Sequence, residues 1–331
     1  AGISYALSEA MGEGHCGLPT AELIPLAVEL LEVDSALVQT ALDLELSEAT
    51  VIADQVGETP CVFLAGLHKA ERVIGERLLN LMNGKLPWPW IDPDKALPWI
   101  EQKTGLSLAE SQVAAIRLAL LSKVMVLTGG PGVGKTTIVN GILKILAAKD
   151  VEILLCAPTG RAAKRMTEAT GFEAKTIHRL LEVNPKGGGF KHNEESPLEC
   201  DLLVIDETSM VDVMLMQAVL KAIPDNASLL VVGDIDQLPS VGPGQVLADI
   251  ISSGVAPVVR LTEVFRQAAQ SQIITTAHKI NKGAIPDLSK PEGDSDFYFV
   301  QADDPETAVQ RIIELVKNRI PQRFGLNPIR D

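Results

Sequence analysis

Apolar positions in the first 82 residues recur at helical spacing, as in AELIPLAVELLEV and HKAERVIGERLLNLM. The β-like run TPCVFLAG (59–66) interrupts them, so the pattern predicts a small helical, winged-helix-like domain over residues 1–82. The next stretch, NGKLPWPWIDPDKALPWIEQ, holds four prolines and all three tryptophans. That composition stops helices and predicts a connector over 83–104, with its tryptophans as packing anchors. From residue 105 helices alternate with KVMVLTG, EILLCAP, LLVIDE and SLLVVGD, apolar runs without alternation. Such strands are buried on both faces, so the fold class predicted for 105–283 is α/β, a doubly wound parallel sheet. A polar, glycine-rich insertion at 183–199 reads as a protruding hairpin with Phe190 exposed. Past 284, DFYFV (296–300) reads as a strand and PETAVQRIIELVKNR as a helix, too little for a domain. Residues 284–331 are therefore expected to be the incomplete start of a further α/β unit, and the chain a piece of a longer protein.

With 331 residues, 46% of them hydrophobic, the chain can bury a sizeable core divided among two or three domains. No run of about 18 apolar residues and no basic-then-apolar leader is present, so a cytoplasmic location away from membranes is expected. The cysteines (16, 61, 156 and 200) are far apart, which argues for reduced structural thiols over a zinc site or disulfide framework. The net charge of −14 weighs against a nucleic-acid partner when averaged over the chain. Arg161, Lys164, Arg165, Lys175 and Arg179 nevertheless cluster within 20 residues and leave room for a local basic face.

The chemistry concentrates in three stretches. GGPGVGKTT matches G-x-x-x-x-G-K-[ST] between a strand and a helix. In that setting the backbone N–H groups of Gly129, Gly130, Gly132, Val133 and Gly134, with Pro131 shaping the loop, cradle phosphates at a helix N-terminus. Lys135 reaches the β and γ oxygens of ATP, Thr136 offers its hydroxyl to Mg²⁺ and Thr137 follows in the first turn. LLVIDE then places Asp206 and Glu207 at the C-terminal end of a buried strand, where ligands of such sheets bind. Adjacent carboxylates there suit Asp206 as a partner of Mg²⁺ and Glu207 as the group that polarises attacking water. In VVGDIDQLPSVGPG, Gln237 emerges just past a third buried strand. If that strand lies beside the one carrying Asp206, the amide reports the γ-phosphate.

Taken in order, AESQVAAI, GGPGVGKTT, APTGRAAKRM, TIHRLL, LLVIDETSMVD, VVGDIDQLPSVGPG and LTEVFRQA resemble the early motifs of RecD-like superfamily-1 DNA helicases. GISYALSEAMGEGHCGLPTAEL resembles the N-terminal extension that some of them carry. The resemblance implies a RecA-like motor domain, the start of a second one, and ATP-dependent 5′→3′ movement on single-stranded DNA that unwinds a duplex with a 5′ single-stranded tail. It implies that Gln112 reads adenine, that Arg266 meets the γ-phosphate, and that Thr159, Arg161, Lys164, Thr176 and His178 contact DNA. It also implies that Phe190 lies in the strand-separating pin. His178 is equally consistent with a capping or core role, and the insertion with a hairpin that separates nothing. The arginine that this family supplies from its second motor domain has no match, so nucleotide binding with slow hydrolysis is expected. Two readings of other classes stay open: a P-loop ATPase that remodels protein, and a nucleotide-gated DNA- or partner-binding module without hydrolysis.

Overall fold

The computed structural model describes residues 1–105, 107–185, 187–263, 270–289, 293 and 295–330. Contacts divide the chain into two units, 1–264 and 265–331.

The first unit opens with α1 (Gly2–Gly12), β1 (Gly17–Pro19), α2 (Thr20–Leu31), α3 (Ser35–Ser47), β2 (Val51–Val56) and β3 (Thr59–Leu64). The strands form an antiparallel sheet in the order β1-β3-β2. Ile3, Leu7, Leu23, Val38, Leu42 and Val62 pack its small core, the helix-plus-hairpin arrangement that the periodicity predicts. Glu45 is buried in that domain, where its carboxylate accepts from the backbone N–H groups of Ile3 and Ser4.

α4 (Ala65–Met82) departs from the predicted division. Ala70, Ile74, Leu78 and Leu81 belong to the large core that also contains Val124, Ile205, Val219 and Val231. Arg77 fixes the arrangement: Nε donates to Leu220 O at 3.1 Å, Nη2 to Ile223 O at 2.6 Å, and Nη1 to Asp225 at 2.6 Å. Asp225 is exposed, so the two carbonyl bonds are the substantial part. Arg77→Ala is expected to lower stability by about 2 kcal/mol, because it strands buried carbonyls. Urea unfolding checks this, and Arg77→Lys should recover only part of the loss because an ammonium cannot span both acceptors.

The stretch 83–104 is a connector only in its first half. Asp92 caps α5 (Pro93–Thr104) by accepting from Asp94 N at 3.0 Å, with Pro93 in the first turn. There the missing proline N–H costs nothing. The tryptophans divide: Trp88 is buried and donates to Leu120 O at 3.1 Å, whereas Trp90 is 74% exposed and Trp99 37%.

The motor sheet follows from α6 (Glu110–Leu121), β4 (Val124–Thr128), α7 (Lys135–Ala147), β5 (Ile153–Ala157), α8 (Gly160–Thr170), β6 (Ala174–Thr176), α9 (Ile177–Leu181), β7 (Leu202–Ile205), α10 (Val213–Ala222), β8 (Ser228–Gly233), α11 (Val246–Ser253) and β9 (Val258–Arg260). Its six strands are parallel in the order β6-β5-β7-β8-β4-β9, as expected of a RecA-like P-loop domain. Every residue of β4, β7 and β8 is buried, which is why these segments read as unbroken apolar runs.

The second unit holds α12 (Gln272–Asn281), α13 (Pro305–Glu314) and α14 (Ile320–Phe324), the last two joined by a π turn at Leu315–Arg319. α12 falls here although Gly283 reads as the boundary in the sequence. Asp296 accepts from Ser271 Oγ at 2.5 Å and Gln272 N at 2.8 Å and so pins the start of that helix within its own unit. The strand expected at 296–300 does not form; Tyr298 and Phe299 are half exposed there with no ladder partner among the described residues. No helix of the described residues is long and apolar enough to cross a membrane.

Candidate nucleotide site and adjoining basic face

Three parallel strands end side by side at the glycine-rich loop. The register sets Val204 of β7 beside Leu230 of β8, and Val232 of β8 beside Leu127 of β4. The condition placed on Gln237 is therefore met, because β8 lies between the strand leading to Asp206 and the strand leading to the loop.

The loop's glycines answer to geometry. Gly132 and Gly134 have φ of 75° and 87°, and a Cβ on Gly129 would stand 2.8 Å from Leu261 O. Lys135 opens α7 and folds back over the loop, donating to Gly129 O at 2.5 Å and Gly130 O at 3.1 Å. Val133 is buried beneath the loop, Pro131 is exposed, and Gly130, Thr136 and Thr137 are half-buried. Gln112 is buried against the same loop. Its Nε2 donates to Val133 O at 3.3 Å and its Oε1 accepts from Ala109 N at 3.1 Å, closing the first turn of α6.

Asp206 is buried, and its Oδ1 accepts from Glu207 N at 2.9 Å. Burial raises its pKa, the neighbouring Glu207 charge adds to this, and Arg165 and Lys135 oppose it. Glu207 has φ of 52°, in the left-handed region, a strain of roughly 1 kcal/mol for a residue with a Cβ. Its Oε1 accepts from Arg165, and its buried Oε2 has no hydrogen-bond partner among the described residues.

Asp234 joins the site although no motif of the sequence singles it out. This carboxylate is 2% exposed at the end of β8 and stands 4.0 Å from Lys135 Nζ and 3.4 Å from Gln237 Nε2. It joins the lysine of the loop to the amide beyond β8. The signal that selected Asp206, an acid at the end of a buried strand, applied equally in VVGD. Gln237 itself is exposed, with its backbone N–H on Asp234 O at 3.2 Å. Arg266 lies outside the described residues.

Further along the sheet, Thr159 and Thr176 cap α8 and α9, accepting from Ala162 N and Arg179 N, each at 3.2 Å. A Cβ on Gly160 would lie 4.0 Å from Thr176 Cγ2, so the two helix starts adjoin. Arg161, Lys164 and His178 are exposed beside them. Phe190 departs from expectation. It closes the base of the insertion through the Val183 bridge, packs on the large core and meets the His178 ring edge-on at 5.6 Å. The hairpin does form, with Asn184 N on Gly189 O at 2.9 Å, but burial pulls the aromatic away from its glycine-rich tip.

Residues 112–243 match the family model described as an AAA domain. The chain is 38% identical over 226 residues to the ATP-dependent RecD2 DNA helicase of Deinococcus radiodurans, covering 68% of this chain and 30% of that protein. It is 40% identical over 192 residues to the RecBCD enzyme subunit RecD of Mycolicibacterium smegmatis, covering 50% of this chain and 34% of that one. RecD helicases are its homologues. The chain spans about a third of the length of these two RecD relatives. Among solved structures, the Pif1 helicase from Candida albicans is 21% identical, covers 66% of this chain and 55% of its own, and has a TM-score of 0.46.

Proposed function

We propose that this chain is the N-terminal and first motor part of an ATP-dependent DNA helicase of the RecD type that carries an N-terminal extension. In this reading it works in the cytoplasm and moves 5′→3′ on single-stranded DNA to open a duplex with a 5′ single-stranded tail. The observation that carries the proposal is the strand order β7-β8-β4, which gathers Lys135, Asp206, Glu207, Asp234 and Gln237 at neighbouring strand ends in a chain whose homologues are RecD helicases.

The residues suit ATP and Mg²⁺. Gly129 leaves no room for a side chain, the loop's N–H groups precede a helix N-terminus, and Glu207 Oε2 is a buried acceptor with no donor among the described residues. Thr136 and Asp206 would hold Mg²⁺, which when bound neutralises phosphate charge. Asp206, kept from water and raised in pKa, has reason to favour a cation. Gly129 to Thr137 hold the phosphates, and Lys135 exchanges its loop carbonyls for phosphate oxygens. Gln112 braces the loop and turns its remaining N–H toward the base. Glu207 orients and deprotonates the attacking water, while Asp234 keeps Gln237 beside Lys135. Arg266 is the further cation assigned to the γ-phosphate. On the DNA side the adjoining N-termini of α8 and α9, with Thr159, Thr176, Arg161, Lys164 and His178, take backbone phosphates. Phe190, with His178, offers a ring at the base of the hairpin instead of a wedge at its tip.

Steady-state ATP hydrolysis with and without a single-stranded oligonucleotide tests this reading, with Lys135→Ala as the blank. Stimulation by DNA is expected. Hydrolysis indifferent to DNA would favour a protein-remodelling ATPase and overturn the proposal.

A further inference from the structure

Of the basic residues on α8, one turns toward the nucleotide site. Lys164 pairs with Glu168 within the helix at 3.8 Å, whereas Arg165 reaches across to the end of β7 and its Nη2 donates to Glu207 Oε1. The two ends of this ion pair live in different surroundings. The arginine side chain is 61% exposed on the helix whose first turn is assigned to DNA, and the glutamate side chain is 14% exposed at the site assigned to hydrolysis. One oxygen of Glu207 is thus occupied by a cation, and the other is buried with no hydrogen-bond partner among the described residues.

A guanidinium held by a carboxylate is not free to bind a phosphate with the same N–H groups. A carboxylate oxygen held by arginine is in turn turned away from any water it should orient. We propose that Arg165 is a DNA-responsive latch on Glu207, a positioning residue that holds the carboxylate while α8 is bare and yields it when a DNA phosphate draws the guanidinium away. The inference rests on the motor reading above and adds to it a route by which DNA switches on hydrolysis. A single side chain serves both sites, so the coupling is reciprocal: whatever frees Arg165 from Glu207 favours DNA, and whatever frees Glu207 from Arg165 favours hydrolysis.

Two measurements on the whole chain test the latch. In the first, binding of a fluorescent single-stranded oligonucleotide is followed against salt without nucleotide. Glu207→Gln should tighten binding roughly three- to tenfold, and Arg165→Ala should weaken it and reduce the salt slope by about one. The double variant should bind like Arg165→Ala alone, because the glutamate then has nothing to compete for. In the second, hydrolysis without DNA should rise several-fold in Arg165→Ala with KM for ATP little changed, while the ratio of DNA-stimulated to basal rate falls. Arg165→Lys should restore part of that ratio. A Glu207→Gln chain that binds DNA as the unaltered chain does, or an Arg165→Ala chain with unchanged stimulation, overturns the latch and leaves the motor reading standing. An unaltered chain that does not bind DNA overturns both.

Discussion

Replacing Lys135 by Ala should weaken ATP binding about a hundredfold, or roughly 3 kcal/mol, and reduce hydrolysis to background. The expectation follows from what surrounds the ammonium group. It is largely buried, hydrogen-bonded to Gly129 O and Gly130 O, and 4.0 Å from Asp234. An alanine leaves both the incoming phosphates and the buried Asp234 carboxylate without their cation. Isothermal titration with a slowly hydrolysed ATP analogue measures the affinity, and circular dichroism checks that the fold persists. Unchanged affinity in a folded variant would overturn the site assignment. Because Asp234 loses its counter-charge, Lys135→Ala should also cost some stability, whereas Lys135→Ala with Asp234→Asn should recover part of it.

Replacing Glu207 by Gln should separate binding from chemistry. The amide keeps the size of the side chain without its charge, so affinity for ATP is expected to stay within about threefold. The turnover rate should fall by roughly 10²- to 10⁴-fold, the usual worth of a positioned general base. Single-turnover hydrolysis at saturating ATP gives the rate free of binding effects. A variant that loses affinity and keeps its turnover would mean that the carboxylate holds nucleotide instead of activating water. The strained backbone at Glu207 makes a second substitution informative. Gly occupies a φ of 52° without penalty, so Glu207→Gly should be as inactive as the glutamine variant and no less stable, despite the loss of a side chain.

Much of this site could be read from the chain because its parts are local. A loop between a buried strand and a helix, an acid at a strand end and an amide beyond the next strand are each written in fewer than fifteen consecutive residues. Only their adjacency needed the sheet, and the strand order supplied it. What escaped the reading depends on distant partners. Arg165 looked like one member of a basic stretch, and nothing near it in the sequence singles it out to meet Glu207, 42 positions on. Arg77 reads as a surface charge on an amphipathic helix until the end of α10 and the residue after it provide carbonyls 143 and 146 residues away. Phe190 looked exposed because its neighbours are polar, yet it had the large core within reach, and burying an aromatic ring outweighs the local pattern. Among the described residues Trp88 is the tryptophan with a buried acceptor for its N–H, a distinction invisible in a run where all three stand beside prolines.

The placement of α4 has a consequence for how such proteins can be taken apart and recombined. By composition the helix belongs with the N-terminal domain, yet Ala70, Ile74, Leu78 and Leu81 fill the motor's core. The seam between interchangeable modules therefore runs through Leu64, at the end of β3, and not through Met82. A chimera joined at Met82 would carry away part of the motor's own interior with the domain it meant to exchange. One joined at Leu64 would leave the engine whole and let a foreign head be grafted onto it.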